Sequence, residues 1–189
     1  MIQFDHWFQE ASNHPLIDQP NAMCISTIDR EGFPDSRFVL LKDHDNTSLV
    51  FYTNYESNKG RQLLATRKIA VNFYWQPLKH QVRMKGTVEP VDSTTADTYF
   101  ATRSRGSQLG SWASQQSRPL ASREELEFAL AKYTEKFKDK EIPRPSHWSG
   151  FRILPFRIEF WESGSNRLHD RFVYSKQVNN SWIIERLYP

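Results

Sequence analysis

Four stretches of the chain gather side chains able to hold an anion or an electron-rich ring. Arg167, His169 and Arg171 stand at alternate positions of RLHDR. Residues two apart share a face of an extended strand, so this spacing predicts three nitrogenous side chains pointing one way. Such a set suits an anionic ligand, and it also describes a solvated strand face paired to nearby carboxylates. Ser57-Asn58-Lys59 reads as a helix start. Its first turn offers free backbone N–H groups, the positive end of the helix dipole and the Lys59 charge, which together hold phosphate. An ordinary capped surface helix has the same pattern. Arg37 and Lys42 bracket the apolar run FVLL. They fall on opposite faces of a regular strand, so one site takes both only through a bulge or from two sides. Residues 99–117, YFATRSRGSQLGSWASQQS, offer Arg103, Arg105, Ser107, Gln108, Ser114, Gln115, Gln116 and Ser117 among few apolar anchors. This predicts a long polar loop with a short helix, and loops this long are usually functional.

The common catalytic signatures are missing. There is no G-x-G-x-x-G and no G-x-x-x-x-G-K-[ST], so side chains and helix ends must hold any phosphate. No G-x-S-x-G elbow occurs. The six His residues show no H-E-x-x-H spacing, so no metal site is expected. The single Cys24 excludes an intramolecular disulfide and a multi-Cys zinc site. It sits in an apolar strand with no basic neighbour, and reads as a buried small residue rather than a nucleophile. Trp75 and Trp161 read as core.

The elements that must position these residues follow from pattern. A helix is predicted over 2–12, from Phe4, Trp7, Phe8 and Ala11 at helical spacing. Strands are predicted at 22–28, 36–42, 49–53, 69–75 and 81–89, with connections too short for parallel crossovers. Helices follow Ser57 and span 93–102. Ser122-Arg123-Glu124-Glu125 is a capping box opening a helix with Leu126, Leu130, Tyr133 and Phe137 on one side. Late strands are predicted at 151–154, 157–161, 171–175 and 182–186. The result is eight or nine strands and four helices in one domain, 1–189, with a short N-terminal helical segment over 1–18. The expected fold class is mainly β: one antiparallel β-barrel or strongly coiled sheet with helices outside it.

With 189 residues, 38% hydrophobic and 14% aromatic, the chain has material for a real core, which excludes wholesale disorder. No apolar run approaches a membrane span, and no secretory signal is visible. The expected location is the cytoplasm. Twenty-five Lys and Arg against 22 Asp and Glu leave +3, with no block of like charge. A polybasic surface for nucleic acid or membrane is therefore not expected.

In this order, RFVLLK (37–42), FYTNYESNKG (51–60), QVRMKG (81–86), the 99–117 stretch, P-x-P-x-x-W-x-G-F-R (143–152), IEFWE (158–162), RLHDR (167–171) and W-x-I-x-R-L-x-P (182–189) closely resemble one family. It is the FMN-dependent pyridoxine/pyridoxamine 5'-phosphate oxidases, and the likeness runs from about residue 20 to the end. The resemblance implies an FMN-binding split β-barrel, and a homodimer with two FMN sites at its interface. By motif position it implies FMN contacts from Arg37, Lys42, Tyr52, Thr53, Asn58, Lys59, Gln81, Gln116, Ser117, Trp161 and Arg171. It assigns the vitamer phosphate to Lys42, Tyr99, Arg103 and Ser107, and places Arg167 and His169 over the reacting carbon. The implied reaction is oxidation of pyridoxine or pyridoxamine 5'-phosphate to pyridoxal 5'-phosphate by hydride transfer from C4' to FMN. Reoxidation by O2 gives H2O2. The alternatives are a related FMN oxidase of the phenazine-precursor type and a non-catalytic flavin- or pyridoxal-phosphate-binding protein. Some positions depart from the family pattern: Asn58 replaces a common Arg, Ser104 interrupts R-P-R, Glu162 replaces Gln, and Gln19 stands where an acid often precedes Pro. Many members carry an N-terminal lid with Arg and Tyr. With Met1 so near the first helix, that lid is expected to be absent or differently built.

Overall fold

The computed structural model describes residues 1–189. Helix α1 spans Ile2–Asn13, followed by strands β1 (Ala22–Ile28), β2 (Pro34–Leu40), β3 (Asp43–His44) and β4 (Leu49–Asn54). Helix α2 (Asn58–Thr66) precedes β5 (Lys68–Trp75) and β6 (His80–Pro90). Helices α3 (Ser93–Thr102), α4 (Arg105–Ala113) and α5 (Arg123–Lys136) come next. The chain closes with β7 (Trp148–Glu162), β8 (Asp170–Lys176) and β9 (Trp182–Arg186). No helix is long and apolar enough to cross a membrane.

All pairings are antiparallel, in the order β2-β1-β5-β6-β7-β4-β3. Strand β7 sets the shape. One edge pairs with β6 along nearly its whole length, while β4 and β8 divide the other edge between them. The sheet curls into a half-barrel around Met23, Ile25, Phe51, Phe73, Val82 and Phe151, which are all fully buried. Alternation of apolar and polar residues along β1, β5 and β6 produces this inner face. Helix α1 covers it with Phe4 and Ala11, both fully buried. Trp7 lies flat on His80, with ring centroids 3.9 Å apart.

Several expectations change. The two strands predicted around Pro155 are one, because a bulge absorbs the proline. Register with β6 shifts between Lys85 and Gly86, and Phe156 is the extra residue. Residues 105–113 form a helix, so there are five α-helices, not four. Ser104 caps α4 by accepting the Ser107 N–H. Arg167, His169 and Arg171 do not share a strand. Strand β8 begins only at Asp170, and a short 3-10 turn over Ser165–Arg167 precedes it, with Asn166 and Arg167 at φ 54° and 64°. Finally, Cys24 is half-buried rather than buried.

Within α5 the predicted apolar side is mostly open. Of Leu126, Leu130, Tyr133 and Phe137, only Phe137 is buried. Tyr133 packs on Trp112, with ring centroids 5.4 Å apart.

Candidate functional site

A cleft of about 520 Å³ opens where β2, β4, the head of α2 and one face of α4 converge. Arg37 and Lys42 both line it, because the strand ends between them. Leu41 N–H still donates to Asn21 beside β1, but Lys42 N–H donates to Val50 on β4, at 2.9 Å. The chain crosses from one sheet edge to the other at this point, and Lys42 turns into the gap.

Helix α2 is locked at the cleft mouth. The Ser57 hydroxyl donates to Asn54 C=O at 2.6 Å and accepts the Gly60 N–H at 3.2 Å. A Cβ on Gly60 would lie 2.5 Å from the Asn54 and Tyr55 carbonyl oxygens, so only glycine lets the helix approach β4 this closely. Lys59 projects from the first turn, and its ammonium donates to Gln116 Oε1 at 3.1 Å. Burial, and then the Arg37 charge, hold Lys59 below the usual lysine range, with Asp35 opposing.

Across the cleft stands an aromatic stack. Tyr52 lies parallel to Tyr99 at 4.0 Å and to Trp148 at 5.3 Å between centroids. The Arg103 guanidinium sits 4.6 Å from the Trp148 ring centroid. Arg103 is the residue at which α3 stops, and it shares the Trp148 ring with Tyr99. Burial lowers the Arg103 pKa, Tyr99 opposing, and the guanidinium remains charged at physiological pH.

The cleft lining contains Arg37, Lys42, Lys59 and Arg103 and no Asp or Glu. Asp35 just outside it pairs with Arg37. None of the other three cations has a carboxylate partner. Thr53, Ser107 and Gln116 add neutral donors. With three of its four cations unpaired, this is a net-positive hollow with an aromatic wall, the chemistry of a site for anionic, ring-bearing ligands.

A second group forms elsewhere. Gln81, Trp161 and Arg171 stand directly opposite one another across β6, β7 and β8. Arg171 donates twice to buried Glu159, at 2.9 and 2.8 Å, and once to Tyr188 C=O. The His169 ring lies 4.7 Å from Trp161. Its Nδ1 accepts the Gly164 N–H at 3.2 Å, which leaves the ring proton of neutral His169 on Nε2. Arg167 is exposed on the same turn. Along β7, about a dozen residues separate Trp161 from Ser149, the residue opposite Thr53. That is roughly 40 Å of extended strand before curvature. Within one chain the two groups do not meet.

The structure thus brings together Arg37, Lys42, Tyr52, Thr53, Lys59, Arg103, Ser107 and Gln116, with Tyr99 stacked behind Tyr52. Asn58 faces away into a separate hollow, where its side-chain oxygen accepts from Arg61. Ser117 is exposed just past Gln116, at φ 70°. Sequence reasoning gave no role to Trp148 or Ser111. Trp148 was visible as the first large aromatic after the Pro143–Pro145 turn. Ser111 becomes legible only once α4 is a helix, since it stands one turn from Ser107.

Residues 10–137 match the family model for pyridoxamine 5'-phosphate oxidase, and residues 148–189 match that for the pyridoxine 5'-phosphate oxidase C-terminal dimerisation region. The chain is 50% identical over 186 residues to the pyridoxine/pyridoxamine 5'-phosphate oxidase of Mesorhizobium japonicum, covering 98% of this chain and 90% of that one. It is 50% identical over 187 residues to the Brucella anthropi protein of the same name, covering 98% and 92%. Among solved structures it is similar to PhzG from Burkholderia lata, in complex with tetrahydrophenazine-1-carboxylic acid. That match has TM-score 0.92 and 29% identity, over 100% of this chain and 91% of that one. A pyridoxamine 5'-phosphate oxidase-related, FMN-binding protein from Nostoc punctiforme shares the fold, at TM-score 0.77 and 14% identity over 99% and 96%.

Proposed function

The chain belongs to the pyridoxamine 5'-phosphate oxidase family, and from that premise we propose that it oxidises pyridoxine 5'-phosphate and pyridoxamine 5'-phosphate to pyridoxal 5'-phosphate. One observation carries the reading: four cations line the cleft and no acid does. A flavin mononucleotide and a phosphorylated vitamer each bring a phosphate, and the three cations left without a carboxylate answer that negative charge. The donor set fits FMN. Lys59 at the head of α2, with Arg37, Thr53 and Gln116, would hold its phosphate and polar chain, with Ser117 at the margin. Lys42, Arg103, Ser107 and Tyr99 would hold the vitamer phosphate beside the Trp148 wall.

When bound, FMN supplies the acceptor for the hydride leaving C4', and O2 restores it with release of H2O2. The chain's own residues bind, orient and enclose. Gln81, Trp161 and Arg171 lie too far along β7 to reach the cleft of their own chain, so they would complete the cleft of a second copy. The match of residues 148–189 to a dimerisation region supports this homodimer. Arg167 and His169 would come with them. Gly164 N–H fixes His169 with its proton on Nε2, so the outward nitrogen is a donor to the substrate's polar groups. Arg167 would orient the ring. The location proposed for this reaction is the cytoplasm.

The PhzG likeness supports a second reading, an FMN oxidase acting on an unphosphorylated aromatic acid. The two readings part at the phosphate. The test is peroxide release, with and without added FMN, from pyridoxamine 5'-phosphate, pyridoxine 5'-phosphate and their unphosphorylated forms. Turnover of the phosphorylated pair alone, dependent on FMN, is expected. Equal use of both forms would favour the second reading, and no turnover with FMN bound would leave a binding protein.

A further inference from the structure

Arg103 is half-buried, cationic and without a carboxylate, yet its guanidinium is held in place. Three contacts hold it, the most distant being the Phe100 ring, its centroid 5.6 Å from the guanidinium carbon. Trp148 supports one face of the plane. On the edge, Arg103 Nη1 donates to Ser111 Oγ at 2.6 Å. The Ser111 hydroxyl in turn donates to Ser107 C=O, one helical turn back, at 3.0 Å. That back-bond is a known habit of serine in helices and fixes its rotamer. It also commits the hydroxyl proton to the helix, so Oγ meets Arg103 only as an acceptor. Ser107 and Ser111 line the cleft from one face of α4, and Ser114 lines it from just past the helix end.

We propose that Ser111 is a positioning residue, which aims the Arg103 guanidinium at the substrate phosphate and so sets the preference for phosphorylated substrate. The logic is electrostatic. A carboxylate at this place would hold Arg103 equally well but would cancel its charge. A hydroxyl whose own proton is occupied orients the cation and leaves the charge whole. It takes one N–H of the guanidinium, and the remaining donors stay available to a phosphate dianion. With Trp148 below and Ser111 at the edge, Arg103 is ordered before the ligand arrives, which removes an ordering cost from binding. The inference rests on the proposed role of Arg103 as a phosphate ligand.

The test uses the FMN-loaded protein with Ser111→Ala, Arg103→Ala and the double substitution. Two quantities are read: KM and kcat for pyridoxamine 5'-phosphate and pyridoxamine, and the equilibrium Kd of pyridoxal 5'-phosphate from its absorbance change. Ser111→Ala should raise KM and Kd for the phosphorylated ligands about tenfold, or roughly 1.4 kcal/mol. It should leave kcat, FMN content and the KM for pyridoxamine within about twofold of wild type. The double variant should be no worse than Arg103→Ala alone, because Ser111 acts only through that side chain. If Arg103→Ala affects phosphorylated and unphosphorylated ligands alike, the phosphate role of Arg103 falls and takes this inference with it. If Arg103→Ala discriminates but Ser111→Ala matches wild type, or the two effects add, Ser111 does not position Arg103 and only this inference is overturned. Loss of flavin or of kcat in Ser111→Ala would also overturn it, by showing a structural role.

Discussion

Lys59 is charged in a half-buried place, and this makes it sensitive to pH. Burial and Arg37 hold Lys59 below its ordinary value, and a phosphate beside it would raise the value again. FMN affinity should therefore fall as pH rises through the lowered Lys59 value, since the neutral amine brings no charge. It should fall again below about pH 6, where a phosphate monoester takes up a proton. Lys59→Met should weaken FMN by roughly 1.5–3 kcal/mol at neutral pH and abolish the alkaline limb. Flavin fluorescence titrations across pH would check this, and an unchanged alkaline limb in Lys59→Met would refute it. Arg167 and His169 are predicted to matter for turnover and not for folding. Arg167 is exposed, and the only side-chain hydrogen bond of His169 closes its own turn. Alanine at either should leave the melting temperature and FMN content near wild type, while kcat/KM falls by about one to two decades. A variant that unfolds or loses flavin would mark a structural position instead.

At the scale of elements, the turn between β7 and β8 concentrates strain around the residues that would face substrate. Asn166 and Arg167 both adopt positive φ, uncommon for residues with a Cβ. A Cβ on Gly164 would lie 1.9 Å from Leu168 C=O, so the turn closes only with glycine there. Gly164→Ala should open it, cost about 1–3 kcal/mol locally and release His169 from the Gly164 N–H. The expected result is a kcat/KM loss like that of His169→Ala, with FMN retained. Wild-type kinetics in Gly164→Ala would show that the turn does not aim His169. This turn also marks where sequence reading stops. RLHDR alternates as a strand does, and nothing local announces that the strand waits until Asp170. Strands β1, β4 and β5 were legible from their residue pattern, and α2 from its cap, since Ser57 does accept the Gly60 N–H. Strand β7 was read as two because Pro155 lacks an N–H, and a bulge opposite β6 is a tertiary solution. The joining of Arg37 to Lys42 likewise depends on the chain changing partners at Leu41, which only the sheet determines.

The whole molecule is unfinished as one chain. Every residue of β9 is exposed, including Trp182, Ile183 and Ile184. Adjacent strand residues point to opposite faces, so both faces of β9 present apolar side chains. It lies within the region that matches a dimerisation module. Ile184→Asp should place a charge in that interface and shift the protein toward monomer. FMN retention should then become dependent on protein concentration. Sedimentation velocity across a dilution series, with flavin content measured alongside, would check both. A variant that stays dimeric and yellow at every dilution would exclude β9 from the interface. Strand β7 reaches still further, because its first residues wall one cleft while Trp161 near its end would serve the cleft of the other copy. A site divided in this way permits complementation between two inactive proteins. On that assignment, chains carrying Lys59→Ala and chains carrying Trp161→Ala should each assemble only crippled sites by themselves. Unfolded together and refolded as a mixture, they should form hybrids in which both lesions collect in one cleft and leave the other whole. With random pairing of equal amounts, about a quarter of all clefts should regain wild-type composition, by the two-fold geometry of the dimer alone.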